Sequence, residues 1–414
     1  MRITQLTLEN FRCARQLRFA GDLSFDARAN VFFGVNGSGK TTVLDALALL
    51  LSWLPARIRS STGTGRNLTL LDIRNGAGHA AISLTAQADT ATYTWTLAKR
   101  RAGTPDPSTR TNLSEASELS RKMQETVPVL AYYPVQRAVV DIPLRIRTQH
   151  DFSPLNTYEN ALSSAANFRT FFEWFRQRED IENEYLRHGD GSDRDTQLEA
   201  VRHAVETILP GYSGLTVRRE PLRMEIAKAA GILRVDQLSD GEKCLLALVG
   251  DLARRLAMAH GRRPGNPLHG HGIVLIDEID LHLHPEWQRI ILPRLLSAFP
   301  NCQFFITTHS PLVLNQLQPA NLFMLSDDGQ GLTVQRPSEA YGQSSTRILE
   351  DLMGLQTTHP DEVAQAIRSI FSHIGNHQFD QARTDIAALR GLGFTGPELT
   401  QAETLIRRKE LIGR

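Results

Sequence analysis

Cysteine is scarce: Cys13, Cys244 and Cys302 stand far apart in the 414 residues and in no metal-ligand spacing. That excludes a disulfide scaffold and a zinc ribbon and predicts a reducing, cytoplasmic setting. No run of about 18 apolar residues occurs, and the opening MRITQLTLENFR lacks the basic-then-apolar layout of a signal peptide. A soluble chain without membrane contact is expected. Charge of one sign is lacking too, since 46 Lys+Arg against 45 Asp+Glu leave a net charge of +1. This argues against a surface given over wholly to nucleic acid or anionic lipid, while a local basic patch stays open. Lysine is rare, six against 40 arginines. The skew could suit phosphate or carboxylate recognition by the guanidinium fork, but a GC-rich genome favouring Arg codons is the plainer account.

What is present, 414 residues of which 41% are hydrophobic, suffices for two or three domains without staples. Residues 3 to 8 (ITQLTL) alternate as a strand does, and VFFGVNGSGKTTVLDALALLL passes from an apolar strand through a Gly-rich turn into an amphipathic helix. HAAISLTAQ and ATYTWTLAKR read as strands of an antiparallel wing. The polar stretch 102 to 126 reads as a surface excursion and VPVLAYYPV as a buried strand. From 154 to 209 the pattern is helical, with Phe168, Phe171, Phe172 and Phe175 at i, i+3, i+4 and i+7 and Trp174 beside them. That stripe reads as core packing. Strands return from 215. A capped amphipathic helix (LSDGEKCLLALVGDLARRLAMA), the strand IVLI ending in acids, a helix near 285 to 298, the strand QFFIT and a short strand at NLFML follow. Beyond 355 the apolar spacing is helical to the end, and no repeat of 20 to 50 residues is present.

Four motifs carry chemistry. Gly34-Val35-Asn36-Gly37-Ser38-Gly39-Lys40-Thr41 satisfies G-x-x-x-x-G-K-[ST] between a strand and a helix, with Thr42 following. Asn36, Gly37, Ser38 and Gly39 would turn backbone N–H groups toward phosphate oxygens, Lys40 would reach the terminal phosphates, and the Thr41 hydroxyl would bind Mg²⁺. Ile273 to Ile276 form an apolar strand delivering Asp277 and Glu278 at its C-terminal end, where parallel sheets place ligands. Asp277 would hold Mg²⁺ directly or through water, and Glu278 would polarise the attacking water. Leu238-Ser239-Asp240-Gly241-Glu242-Lys243 opens a helix and, taken alone, is a helix cap. Thr307-Thr308-His309-Ser310 follows the strand QFFIT. His269, His271, His282 and His284 invite a metal reading, but their spacing is not that of a ligand set.

In this order the motifs resemble ATP-binding cassette ATPases of the SMC and RecF-like branch, most specifically over about 1 to 50 and 230 to 325. The resemblance implies an α/β fold: a P-loop ABC-type ATPase head with a mixed or parallel sheet, an antiparallel β wing, a short helical insertion and a helical C-terminal tail. It divides the chain into 1–150 and 213–335 as the two halves of the head, 151–212 as the insertion and 336–414 as the tail. It implies ATP and Mg²⁺ as cofactors and a homodimer or higher homo-oligomer with composite sites. Ser239, Asp240, Gly241 and Glu242 would contact the γ-phosphate held by the other subunit, and His309 would be the switch histidine beside Glu278. Asp280 to Pro285 would be a dimer-contact loop. Gln136 falls where the family has a metal- and water-sensing glutamine, with Arg137 adjoining as the alternative. Arg12, in Glu9-Asn10-Phe11-Arg12, lies near nucleotide in the family or is a loop arginine without a ligand.

SMC-type proteins need a long coiled coil where this chain has a short helical insertion, and OLD-type nucleases append an acidic nuclease domain that the residues after the head do not resemble. The remaining resemblance is to compact ATPases encoded with antiphage systems, the PtuA subunit of Septu and retron-associated ATPases. Segment 167–175, the LSDGEK signature, Asp280 to Pro285 and Ala402 to Arg414 carry it. It implies an ATP-dependent regulatory or sensor subunit controlling a separate HNH-type nuclease or other effector, with DNA or retron RNA/DNA in the complex. The alternative is a RecF-like repair or loading ATPase binding duplex DNA. For that reading Arg57, Arg59, Arg66 and Arg74, or Arg145 and Arg147, could contact phosphates, against scattered surface arginines as the plainer account.

Overall fold

The computed structural model describes residues 1–105, 109–135, 152–163, 168–188, 194–229, 231–261, 263–327, 329 and 331–412. Gln136, Arg137, Arg145, Arg147 and Asn167 lie outside the described residues. The described strands are β1 (Arg2–Phe11), β2 (Ala14–Phe19), β3 (Ala29–Phe33), β4 (His79–Ala88), β5 (Ala91–Arg100), β6 (Val129–Tyr133), β7 (Tyr212–Arg219), β8 (Leu222–Lys228), β9 (Gly231–Arg234), β10 (Gly272–Ile276), β11 (Cys302–Thr307), β12 (Leu322–Asp327) and β13 (Leu332–Gln335). The helices are α1 (Lys40–Leu51), α2 (Trp53–Arg59), α3 (Ser114–Lys122), α4 (Phe168–His188), α5 (Thr196–Ile208), α6 (Asp240–His260), α7 (Pro285–Ala298), the single turns α8 (Pro311–Leu314) and α9 (Ser345–Arg347), then α10 (Asp361–Gly375), α11 (Phe379–Gly391) and α12 (Pro397–Ile412). The chain divides into two compact units, Met1–Ile348 and Leu349–Arg414.

In the first unit a six-stranded sheet has the order β13-β12-β3-β11-β10-β6. Its pairings are parallel from β6 through β12, and only β13 runs antiparallel. Every residue of β3, β6, β10 and β11 is buried, which is why they read as largely apolar runs and not as alternating ones. A second sheet, β2-β1-β4-β5, is antiparallel and is the expected wing, extended by β1 and β2. Phe19 and Phe25 stack on each other and meet Phe32, Phe305 and Phe323 edge-on, joining β2 to the buried strands of the large sheet. The third sheet, β7-β8-β9, leads directly into the signature helix α6.

The aromatic stripe of α4 is core: Phe168, Phe171, Phe172, Trp174 and Phe175 are all buried. Phe171 lies over Gly250 of α6, where an added Cβ would come within 2.8 Å of its ring. Segment 102–126 departs from its expectation as a surface excursion. Its residues 114–122 fold as α3, burying Ala116, Leu119 and Ser120 against α2 and β5. The apolar spacing that makes this face is sparse and was outweighed by the polar composition. The stretch Lys40–Arg59 is long and apolar enough to cross a membrane by composition, but 72% of its most apolar window is buried inside the fold.

The second unit is three helices, α10 to α12, around a core of Ile370, Ile374, Ala382, Ile386, Leu389, Leu399, Ala402 and Ile406. Such a length is marginal for a free-standing core.

Candidate functional site

β3 ends at Phe33 and the chain turns through 34–39 into α1. Gly34 has φ +147° and its Cβ would sit 2.2 Å from Leu325 O, while Gly39 has φ +80° and its Cβ would sit 2.3 Å from Leu332 Cδ1. The β12–β13 hairpin therefore backs the loop so closely that a backbone carbonyl leaves no room for a side chain at Gly34, and the left-handed backbone disfavours one at Gly39. Asn36 and Gly37 are exposed, Ser38 is buried, and Thr42 is buried with its hydroxyl 3.4 Å from Cys13 Sγ. Lys40 donates from Nζ to the carbonyls of Gly34 (3.1 Å) and Val35 (2.9 Å). Burial pulls its pKa below the usual lysine value, opposed by Asp277, Glu278 and Asp280.

The acids arrive on β10. Asp277 is 1% exposed, and its backbone N–H donates to Tyr133 O (2.9 Å). Its Oδ2 accepts from Thr41 Oγ1 (2.9 Å) and its Oδ1 from Thr307 Oγ1 (2.5 Å). The Thr307 hydroxyl also accepts from Glu278 N (2.7 Å), holding Glu278 in the left-handed region at φ +48°. Asp280 Oδ1 accepts from Thr308 Oγ1 (2.5 Å) and from His309 N (3.3 Å), so the loop after β10 and the turn after β11 are one hydrogen-bonded unit. Burial, then the nearby Lys40, lower the His309 pKa, favouring its neutral form.

Lys40, Thr41, Asp277, Glu278 and His309 are thus gathered at the C-terminal edge of the parallel strands, the ligand edge of such sheets. Glycines that a Cβ would jam against the hairpin, a lysine held on loop carbonyls and a helix N-terminus together fit a nucleotide triphosphate. Neighbouring oxygens of Thr41 and Asp277 fit Mg²⁺, which takes hard oxygen donors and commonly one or two carboxylates.

The signature opens α6. Ser239 caps α6 in a reciprocal box with Glu242, Ser239 N donating to Glu242 Oε2 (2.8 Å) and Ser239 Oγ accepting from Glu242 N (3.4 Å). Burial raises the Glu242 pKa, but Tyr212, Ser239 and Lys228 outweigh it and hold it at about 2. Asp240 points to solvent. Gly241 is where the loop after β10 touches α6, since its Cβ would lie 2.3 Å from His282 O. Arg12 flanks α1, its guanidinium paired with Asp45 (2.5 Å) and Asp72 (3.0 Å). Thr307, Tyr133 and the Asp45–Asp72 pair were not foreseen in these roles. The threonine directly before Thr308-His309 was the only local signal for any of them.

Residues 127–315 match the family described as "AAA domain, putative AbiEii toxin, Type IV TA system", and residues 5–209 match an AAA domain family. The "Retron Ec83 probable ATPase" of Escherichia coli is 29% identical, over 87% of this chain and 78% of its own length. The chain thus resembles ATPases with an AAA domain and is related to retron probable ATPases over most of its length. The "Retron Vc95 probable ATPase" of Vibrio cholerae serotype O1 biovar El Tor is 26% identical over 93% of this chain and 85% of its own. The Septu protein PtuA of Bacillus mycoides is 32% identical over 39% of this chain and 22% of its own length. Among solved structures, the SMC head domain from Thermotoga maritima aligns with a TM-score of 0.46 at 16% identity, covering 82% of this chain and all of that one.

Proposed function

We propose that this chain is an SMC-like ATPase that hydrolyses ATP in sites shared between two copies and serves as the regulatory subunit of an antiphage defence complex, switching a separate effector such as an HNH nuclease. The observation that carries the hydrolytic part is the convergence of Thr41 and Thr307 on the two oxygens of Asp277, with Glu278 fixed beside them. Similarity to two retron ATPases over most of the chain carries the defence part and favours it over a RecF-like role.

Lys40 leaves the carbonyls of Gly34 and Val35 to meet the terminal phosphates, exchanging neutral acceptors for charged ones. Thr41 and Asp277 would hold Mg²⁺, which supplies charge neutralisation to the β- and γ-phosphate oxygens. Glu278 orients the attacking water and accepts its proton, and neutral His309 donates to the γ-phosphate. Ser239 and the N-terminus of α6, a ready anion site, would meet the phosphate held by the partner copy. Turnover therefore depends on pairing, because phosphoryl transfer needs chiefly positioned charge. Phosphate release from ATP by the purified chain, abolished by Lys40→Ala, tests the hydrolytic reading. Loss of phage protection from the same substitution in the intact gene cluster tests the defence reading, and unaltered protection would overturn it.

A further inference from the structure

Asp251 lies in the middle of α6, fully buried, and its carboxylate is crowded with donors. Oδ1 accepts from Arg254 Nη2 (2.6 Å), and Oδ2 accepts from Arg255 Nε (2.7 Å) and from the Tyr133 hydroxyl (3.0 Å). Arg254 and Arg255 are each 3% exposed. Arg255 also donates to the carbonyls of Thr157 and Glu159. Two guanidiniums and one carboxylate leave a buried excess of positive charge, and Arg254 Nε has no hydrogen-bond partner among the described residues.

Stability does not explain this cluster. Desolvating three ions is costly, and apolar residues of similar volume are commonly as stable or more so in such places. What directional hydrogen bonds provide and apolar packing does not is a fixed register between elements. The elements here are α6, whose N-terminus is the signature, and β6, whose last residue is Tyr133. The same Tyr133 accepts the Asp277 backbone N–H on its carbonyl (2.9 Å), and Asp277 holds the Thr41 hydroxyl. From Ser239 to Asp251 is 12 residues of rigid helix, about 18 Å.

We infer that Asp251, with Tyr133, Arg254 and Arg255, is a positioning cluster that sets the Asp277 carboxylate for the metal and couples it to the signature helix. This rests on the ATPase reading above. Tyr133→Phe removes one hydroxyl and keeps the ring, and Asp251→Leu/Arg254→Met/Arg255→Met replaces the cluster with apolar volume. The triple variant should keep the wild-type melting temperature or raise it, Tyr133→Phe should melt somewhat lower because a buried carboxylate loses one donor, and both should bind ATP in EDTA with unchanged affinity. Both should lose roughly ten- to hundred-fold in Mn²⁺ affinity of the ATP-bound protein, read by electron paramagnetic resonance, as supporting residues of metal ligands do. Wild-type Mn²⁺ affinity in folded Tyr133→Phe protein overturns the inference, whatever the triple variant does. Thr41→Ala separates the two claims: if it too leaves Mn²⁺ affinity unchanged, the metal site itself is misassigned, and if it alone weakens Mn²⁺, only the positioning role fails.

Discussion

Thr41 Oγ1 and Asp277 Oδ2 lie 2.9 Å apart although 236 residues separate them in the chain. The bond joins the first turn of α1 to the tip of β10 and brings the two oxygens expected to share a cation side by side. Asp277→Asn keeps the shape and removes the charge. ATP hydrolysis should fall by roughly 1,000-fold, since a metal supplies several kcal/mol of transition-state stabilisation. ATP binding should survive, measured by equilibrium dialysis without metal.

Glu278 is fixed by its backbone N–H on the Thr307 hydroxyl, and in the proposed site its carboxylate acts on water. Glu278→Gln keeps size and hydrogen bonding but cannot take a proton. Hydrolysis should drop by roughly 10²–10⁴-fold, while sizing with light scattering in ATP and Mg²⁺ should show a persistent dimer. A monomer under those conditions would count against shared sites.

Gly241 meets the backbone carbonyl of His282, which cannot swing aside as a side chain can. Gly241→Ala should destabilise the fold by about 1–3 kcal/mol, the usual range for overpacking. It should also reduce ATP-dependent pairing, because the added methyl pushes the loop after β10 away from α6. Denaturant titration checks the first effect and sizing the second.

The phosphate loop, the acid-tipped strand and the histidine turn were legible in the sequence because each is local: a few residues at fixed offsets carry the chemistry. The buried runs IVLI and QFFIT gave the parallel strands for the same reason. β2 and β13 escaped notice because each is short and lies at a sheet edge, and α3 because its buried face is hidden among polar residues. Pairings across long separations were illegible in principle. Arg12 reads as a loop arginine until Asp45 and Asp72 are brought to it, and Asp251 reads as an ordinary polar position on an amphipathic helix until Tyr133 arrives from β6.

His260 closes α6 in a buried position where Nε2 has no hydrogen-bond partner among the described residues. Burial, then the charge of Arg263, lower its pKa from 6.5 to about 4. Folding therefore favours the neutral ring. As pH falls below 6.5 the unfolded chain takes a proton that the folded chain refuses, so stability declines until the folded ring also titrates near pH 4. The melting temperature should fall across that window, and His260→Gln should flatten the fall. Equal slopes for the two proteins would show that other groups govern it.

The central claim, an ATP site completed by a second copy, is tested most directly by mixing two inactive variants. Lys40→Ala lacks the phosphate-loop lysine but retains its signature, and Ser239→Arg lacks the signature but retains its loop. A mixed dimer has one intact composite site, so an equimolar mixture that pairs at random should recover about a quarter of the wild-type ATPase rate, following the two-fold symmetry of such a pair. Each variant alone should remain inactive. A mixture as inactive as its components, with wild-type protein active in the same assay and mixed dimers demonstrated, would contradict the account.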